Sequence, residues 1–320
     1  MLWLGAHMST SGGAFRALER AAEFGMDSCQ IFTKNERQWN ARPLEPAAIE
    51  RFREEVERTG IPRRRLVAHD SYLINLASPD EAMWEKSRLA FREELDRCDQ
   101  LGVPFLVTHP GAHMKRGEEA GIARVIEGIN RIHDERPDGT TLTLLETTAG
   151  QGTTLGRTFE ELAAIIDGVA DKGRIGVCLD TCHVFVAGYD LRTPDAYEAT
   201  MAAFDRIIGL DRLQAIHLND AKRELGSRVD RHTHIGDGEI GLAAFGFLLN
   251  DPRLDGLPGV LETEKGDDGE DDRRNLATLR ALVPAAEATA TATAAPTTPA
   301  TGATTTGATT TGAVVAVAAA

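Results

Sequence analysis

Leu142-Thr143-Leu144-Leu145-Glu146 and Ile175-Gly176-Val177-Cys178-Leu179-Asp180 are two short apolar runs, each closed by a carboxylate, and the second acid follows the first by 34 residues. Runs of that length and make-up read as strands buried on both faces, as in a parallel sheet. The stretch between them is long enough for a crossover helix, so the pair reads as one βα unit and the start of the next. Outward in both directions the pattern recurs. Leu2–Ala6, Ser28–Phe32, Leu66–His69, Phe105–His109, Leu213–His217 and Gly259–Glu262 complete eight strand candidates, with stretches of helical length after them. Eight repeats predict an α/β chain folded as a closed (β/α)8 TIM barrel over residues 1–283. A doubly wound open sheet would have fewer strands and a glycine-rich first turn, and Ser11-Gly12-Gly13 is not G-x-G-x-x-G. After the third strand, Ser78-Pro79-Asp80-Glu81 reads as a helix start with Ser78 as N-cap. Met83, Leu89, Phe91 and Leu95 are expected on that helix's apolar face.

From residue 284 to 320 the composition turns to Ala, Thr, Gly and Pro, with near-repeats of Thr-Gly-Ala-Thr-Thr-Thr-Gly-Ala. Such side chains bury too little to offset the entropy of ordering, so a disordered low-complexity tail is expected there. The 320-residue chain as a whole, 42% hydrophobic and 26% charged, has the apolar content a sizeable core needs. Met1 to His7 lacks a basic segment followed by a long apolar run, and no later stretch is apolar enough to span a membrane. Four scattered cysteines, Cys29, Cys98, Cys178 and Cys182, suit buried thiols in a reducing compartment. A cytoplasmic, monomeric protein with no membrane partner is the expectation.

The formal net charge of −14 would argue against a nucleic-acid partner only if it were evenly spread. It is not. Seven acids lie within residues 262–272 against Lys265, whereas Lys34 to Arg42 and Lys222 to Arg231 carry a local excess of base.

Six strand candidates end in a residue able to bind metal: His69, His109, Glu146, Asp180, His217 and Glu262, at intervals of 40, 37, 34, 37 and 45 residues. Parallel barrel strands present their C-terminal ends on one face, so three imidazoles and three carboxylates should surround one cavity. Carboxylates buried that close together need a compensating cation. Mixed nitrogen and oxygen donors suit Zn²⁺, with Mn²⁺ or Fe²⁺ as substitutes, and the cavity has donors for more than one ion. His183, Asp230 and His232 fall in loops on the same face, and His7 follows the first strand as a supporting group.

At these residues the sequence resembles the endonuclease IV family of apurinic/apyrimidinic (AP) endonucleases. The resemblance runs through His69-Asp70-Ser71-Tyr72-Leu73-Ile74-Asn75, Gly176 to His183, and Ile216-His217-Leu218-Asn219-Asp220-Ala221-Lys222 continuing to Gly226-Ser227-Arg228-Val229-Asp230-Arg231-His232. Shorter blocks are Gly5-Ala6-His7, Phe32 to Asn35 with Arg37-Gln38-Trp39, His109-Pro110-Gly111, and Ala149-Gly150-Gln151-Gly152. It implies three zinc ions per chain: one on His69 and His109, bridged by Glu146 to a second on Asp180, His217 and Glu262, and a third on His183, Asp230 and His232. Four carboxylates against three divalent ions leave such a site positive and attractive to phosphate.

The activity implied is base-excision DNA repair. A zinc-activated hydroxide beside the catalytic Glu146 would cut damaged double-stranded DNA 5′ to an abasic site, leaving a 3′-hydroxyl and a 5′-deoxyribose phosphate, and would also trim blocked 3′ ends. Arg37, Tyr72 and Leu73 are then the residues that contact DNA and enter the base stack. Two features depart from the family pattern: Thr147 stands where Asn is expected, and the acidic run after Glu262 faces DNA. The rival readings are an aldose isomerase on the same barrel, which has no use for a third donor group, and a non-catalytic damage binder, for which the complete donor set is superfluous.

Overall fold

The computed structural model describes residues 1–266 and 268–284. The tail expected from residue 284 therefore lies, Pro284 apart, outside the described residues. Eight strands close into a barrel: β1 (Trp3–His7), β2 (Ser28–Phe32), β3 (Leu66–His69), β4 (Phe105–Thr108), β5 (Leu142–Glu146), β6 (Ile175–Asp180), β7 (Leu213–His217) and β8 (Pro258–Leu261). Each pairs in parallel with its sequence neighbours, and β8 returns to β1 with Ala6 opposite Leu261. Helices α1 (Ala14–Glu23), α2 (Pro46–Thr59), α3 (Glu81–Leu101), α4 (Glu118–Glu135), α5 (Phe159–Gly168), α6 (Thr181–Ala187), α7 (Pro194–Ile207), α8 (Leu242–Leu249) and α9 (Glu270–Ala281) fill the connections. Between β7 and α8 the chain adds a two-stranded ribbon, Asp220–Ala221 against His232–Thr233. Among the described residues no helix is long and apolar enough to cross a membrane. The four cysteines are free and buried.

Strand alternation sorts the side chains into two cores. Leu4, Ile31, Leu106, Leu145, Leu179, Ile216 and Leu261 face outward and pack with helix residues such as Leu18, Phe52, Phe91, Phe159 and Phe245. Val67, Val107, Leu144, Cys178, Ala215 and Val260 form a separate cluster inside the barrel. Two residues further along each of those strands come His69, His109, Glu146, Asp180, His217 and Glu262. A period of two returns the side chain to the same face, so the polar layer stands directly above an apolar floor. His109 and Glu262 lie one residue past β4 and β8, a boundary difference that leaves their direction unchanged.

The start of α3 differs from expectation. Asp80, not Ser78, is its N-cap, with Oδ1 accepting from the Met83 N–H at 2.8 Å, while Ser78 Oγ takes the Asp80 N–H in the preceding turn. The buried face carries Trp84, Phe91, Leu95 and Cys98, whereas Met83 and Leu89 are 40% and 41% exposed. Replacing Asp80 by Ala is expected to lower stability by about 1 kcal/mol, the usual worth of such a cap. An unchanged denaturation midpoint would show that the bond contributes nothing.

Candidate metal centre

The polar layer gathers donor atoms into three groups, in each of which the atoms lie within 4.8 Å of one another. His69, His109 and Glu146 form the first, Glu146, Asp180, His217 and Glu262 the second, and His183, Asp230 and His232 the third. All nine residues selected from the sequence are thus brought together. Glu146 is the hub: Oε2 lies 3.0 Å from His69 Nε2 and 3.2 Å from His109 Nε2, and Oε1 lies 3.1 Å from His217 Nδ1. In the third group His183 Nε2 is 3.2 Å from Asp230 Oδ2 and 3.4 Å from His232 Nε2. His183 sits in the first turn of α6 rather than in a loop, where Asp180 caps the helix by accepting its N–H at 2.8 Å. His232 belongs to the ribbon. Cys182 also lies near Asp180 and His232, but burial raises its thiol pKa, which disfavours the thiolate that a metal needs.

The way the rings are held fits a metal. His69 Nδ1 donates to the Asp70 carbonyl at 3.0 Å and His183 Nδ1 to the Thr147 carbonyl at 2.9 Å. With one nitrogen of each ring tied to a carbonyl, the other turns a lone pair to the cavity, the usual support for a ligating imidazole. Burial opposes charge on these rings, yet hydrogen bonding to Glu146 and the charges of Glu146, Glu262 and Asp70 together raise His69 to about 9. His183 is held well above the ordinary histidine value, where Asp180, Asp230 and Glu146 together outweigh its burial. Glu146 and Glu262 are held well below the usual carboxylate range despite burial, by His109 and His217 and by His217 respectively. The layer demands positive charge, which protons or divalent ions supply.

A family model described as Xylose isomerase-like TIM barrel matches residues 18–282. A "Probable endonuclease 4" of Chloroflexus aurantiacus is 55% identical over 283 residues, covering 88% of this chain and 99% of the relative. The crystal structure of endonuclease IV from Thermus thermophilus superposes with a TM-score of 0.77 at 38% identity, over 88% of this chain and 98% of that one. The chain belongs to the endonuclease IV family. A D-tagatose 3-epimerase-like protein, at 21% identity and a TM-score of 0.66 over 88% of this chain and 98% of its own, shares the fold alone with this family member.

Around the endonuclease IV site, several supporting residues escaped the sequence reading. Asn219 Nδ2 donates to Asp180 Oδ2 at 2.7 Å while its Oδ1 accepts the Glu262 N–H, so one amide holds two strand ends. Gln151 Oε1 accepts the Asp230 N–H at 3.1 Å. Gln30, on β2, reaches Glu262 and His217. A search of strand ends misses Gln30 because it stands two residues before the end of β2, although alternation marks it as inward-facing. His7, expected from the sequence as a supporting group, stands opposite Gln30 in the register and completes the layer from β1. Thr147 has a role of its own: besides orienting His183, its Oγ1 accepts the Asp180 N–H at 2.9 Å.

The three residues selected for DNA stand on the open face. Tyr72 is 68% exposed and edges against Phe32 at 5.6 Å between centroids, Leu73 is half-buried beside it, and the Arg37 side chain is 84% exposed. The β2–α2 loop bearing Arg37 is preordered, because the buried Arg97 donates to the Thr33 and Arg42 carbonyls and Lys34 to that of Trp39. Of the acids after Glu262, Asp267 lies outside the described residues, and three others have structural roles. Glu270, Asp271 and Asp272 form the first turn of α9, where they face its positive end, and Lys265 binds both oxygens of the buried Asp272 at 2.7 and 2.6 Å.

Proposed function

We propose that the chain is a zinc-dependent AP endonuclease, cutting the phosphodiester 5′ to an abasic site in duplex DNA to leave a 3′-hydroxyl and a 5′-deoxyribose phosphate. The same phosphate site would serve to trim blocked 3′ ends. The observation that carries the reading is the third donor group: His183, Asp230 and His232 converge beside two groups already joined through Glu146. An aldose-type enzyme with one or two ions needs no such group. Membership of the endonuclease IV family supports the same substrate class.

His69 and His109 would hold one ion through Nε2, Asp180, His217 and Glu262 a second, His183, Asp230 and His232 a third, with Glu146 shared between the first two. Bound divalent ions supply positive charge to the phosphate and lower the pKa of water from ~15.7 towards ~7. Water would attack phosphorus in line, and the bond to the 3′ oxygen breaks as that oxygen takes up a proton. Glu146 orients the attacking water from the centre of the layer. The apolar floor of Val107, Leu144 and Val260 keeps bulk water from reaching the donors from below. Tyr72, Leu73 and Arg37 would enter the stack beside the lesion, where a missing base lowers the cost of turning the nucleotide outward.

Nicking of an abasic duplex by the full chain, with metal content from mass spectrometry, tests the reading. About three ions per chain are expected, and chelation should remove activity slowly, because buried imidazoles and carboxylates must release them. Full activity after verified metal removal would overturn it. The Tyr72→Ala variant should bind abasic duplex about tenfold more weakly, at the low end of what an aromatic contact to a base contributes, with metal content unchanged. Equal affinity would assign Tyr72 to the barrel rim alone.

A further inference from the structure

Gln30 is fully buried, and its side chain joins three members of the polar layer that are far apart in sequence. Its Nε2 lies 2.6 Å from Glu262 Oε1 and 2.9 Å from His7 Nδ1, and its Oε1 lies 2.8 Å from His217 Nε2. Glu262 settles which way the amide faces. A carboxylate only accepts, so the group against Oε1 is the NH2, and a flipped amide would set two acceptors 2.6 Å apart. The glutamine oxygen then faces His217 Nε2, which must carry the ring proton. His217 Nδ1 is left as a bare lone pair, 3.1 Å from Glu146 Oε1, 3.1 Å from Glu262 Oε2 and 3.8 Å from Asp180 Oδ2. A lone pair facing three carboxylates is repulsive unless a second ring proton or a metal ion lies among them. The second amide hydrogen goes to His7 Nδ1, which puts the His7 proton on Nε2, a buried nitrogen with no hydrogen-bond partner among the described residues.

We infer that Gln30 is a positioning residue of the second donor group: one amide sets the tautomer by which His217 ligates through Nδ1 and leaves Glu262 a single oxygen, Oε2, for the ion. The inference rests on the metal reading above. His69 and His183 obtain the same service from carbonyls next to the site in their own or an adjacent strand connection, whereas His217 obtains it from across the barrel. Among the described residues Gln30 is therefore the one side chain whose loss should release His217 and Glu262 together. His7, held by the same amide, lines a cavity of about 310 Å³ together with Tyr72 and Lys265.

Two measurements on the full chain test this, with Zn²⁺ as the probe. In the zinc-loaded wild type, proton–nitrogen correlation spectra should show His217 protonated at Nε2 and unprotonated at Nδ1. In Gln30→Met, close in length but without the amide donors and acceptor, chelator competition should show one Zn²⁺ per chain bound on the order of 10–100-fold more weakly, the usual cost of losing such a support. A His217 proton on Nδ1 in the wild type overturns the inference whether or not the variant folds. So does a folded Gln30→Met protein that is merely less stable, with every Zn²⁺ held as tightly as before. Either result leaves the metal reading standing. A wild type that takes up no Zn²⁺ removes that reading and this inference with it.

Discussion

Glu146→Gln is expected to lower single-turnover nicking of an abasic duplex by three orders of magnitude or more, about 4 kcal/mol of transition-state stabilisation. The substitution keeps the shape of a side chain buried at the centre of the layer, so the barrel should fold. What it removes is a charge and one oxygen. Glu146 presents Oε2 to His69 and His109 and Oε1 to His217, and an amide has only one oxygen to offer two donor groups. Its NH2 would also sit against ring nitrogens that turn lone pairs towards it. At least one ion should be lost, and the loss is of the size found when one partner of a buried charged set is deleted, ~3–5 kcal/mol. Metal content and rate are measured on the same preparation. Full metal loading with wild-type nicking would remove Glu146 from the mechanism.

Asp230→Ala should reduce nicking by roughly two orders of magnitude, comparable with losing one preorganised electrostatic stabiliser. Asp230 is the only anion of the third group. Its pKa is held at about 2, with His183 bonding and charge outweighing the effect of burial. Without it, His183 Nε2 and His232 Nε2 face each other at 3.4 Å, and the carboxylates still near these rings, Asp180 and Glu146, belong to the second donor group. Ion affinity there should fall far more than at the groups joined through Glu146. The side chain is 37% exposed at the rim, so folding and the other two ions should persist. One ion missing with an unchanged rate would reject the trinuclear assignment and reopen the aldose-type reading of the barrel.

The two substitutions separate what was legible in the chain from what was not. Each strand candidate was recognisable because burial on both faces writes a short apolar run, and the intervals between polar strand ends matched one βα unit each time. Parallel strands in a barrel have no choice about where those ends meet, so the convergence of His69, His109, Glu146, Asp180, His217 and Glu262 followed from sequence period alone. His183, Asp230 and His232 had no such period. Their position in the sequence marked them only as loop residues on the same face, and their role came through resemblance to the endonuclease IV family, because α6 and the ribbon that position them are irregular additions to the repeat.

Local sequence by itself determined the barrel, the level of the polar layer and the residue types in it, since strand alternation and helix length act over a few residues. It misplaced the start of α3, where Ser78 and Asp80 are both competent caps and only the path of the chain chooses between them. Tertiary structure alone decided which nitrogen of each ring faces the cavity and that Gln30 belongs to the site. Gln30 and His217 are 187 residues apart, and Gln30 and Glu262 are 232. No periodicity spans such distances. The return of β8 to β1 closes the ring, and only that closure brings the amide within hydrogen-bonding distance of both partners.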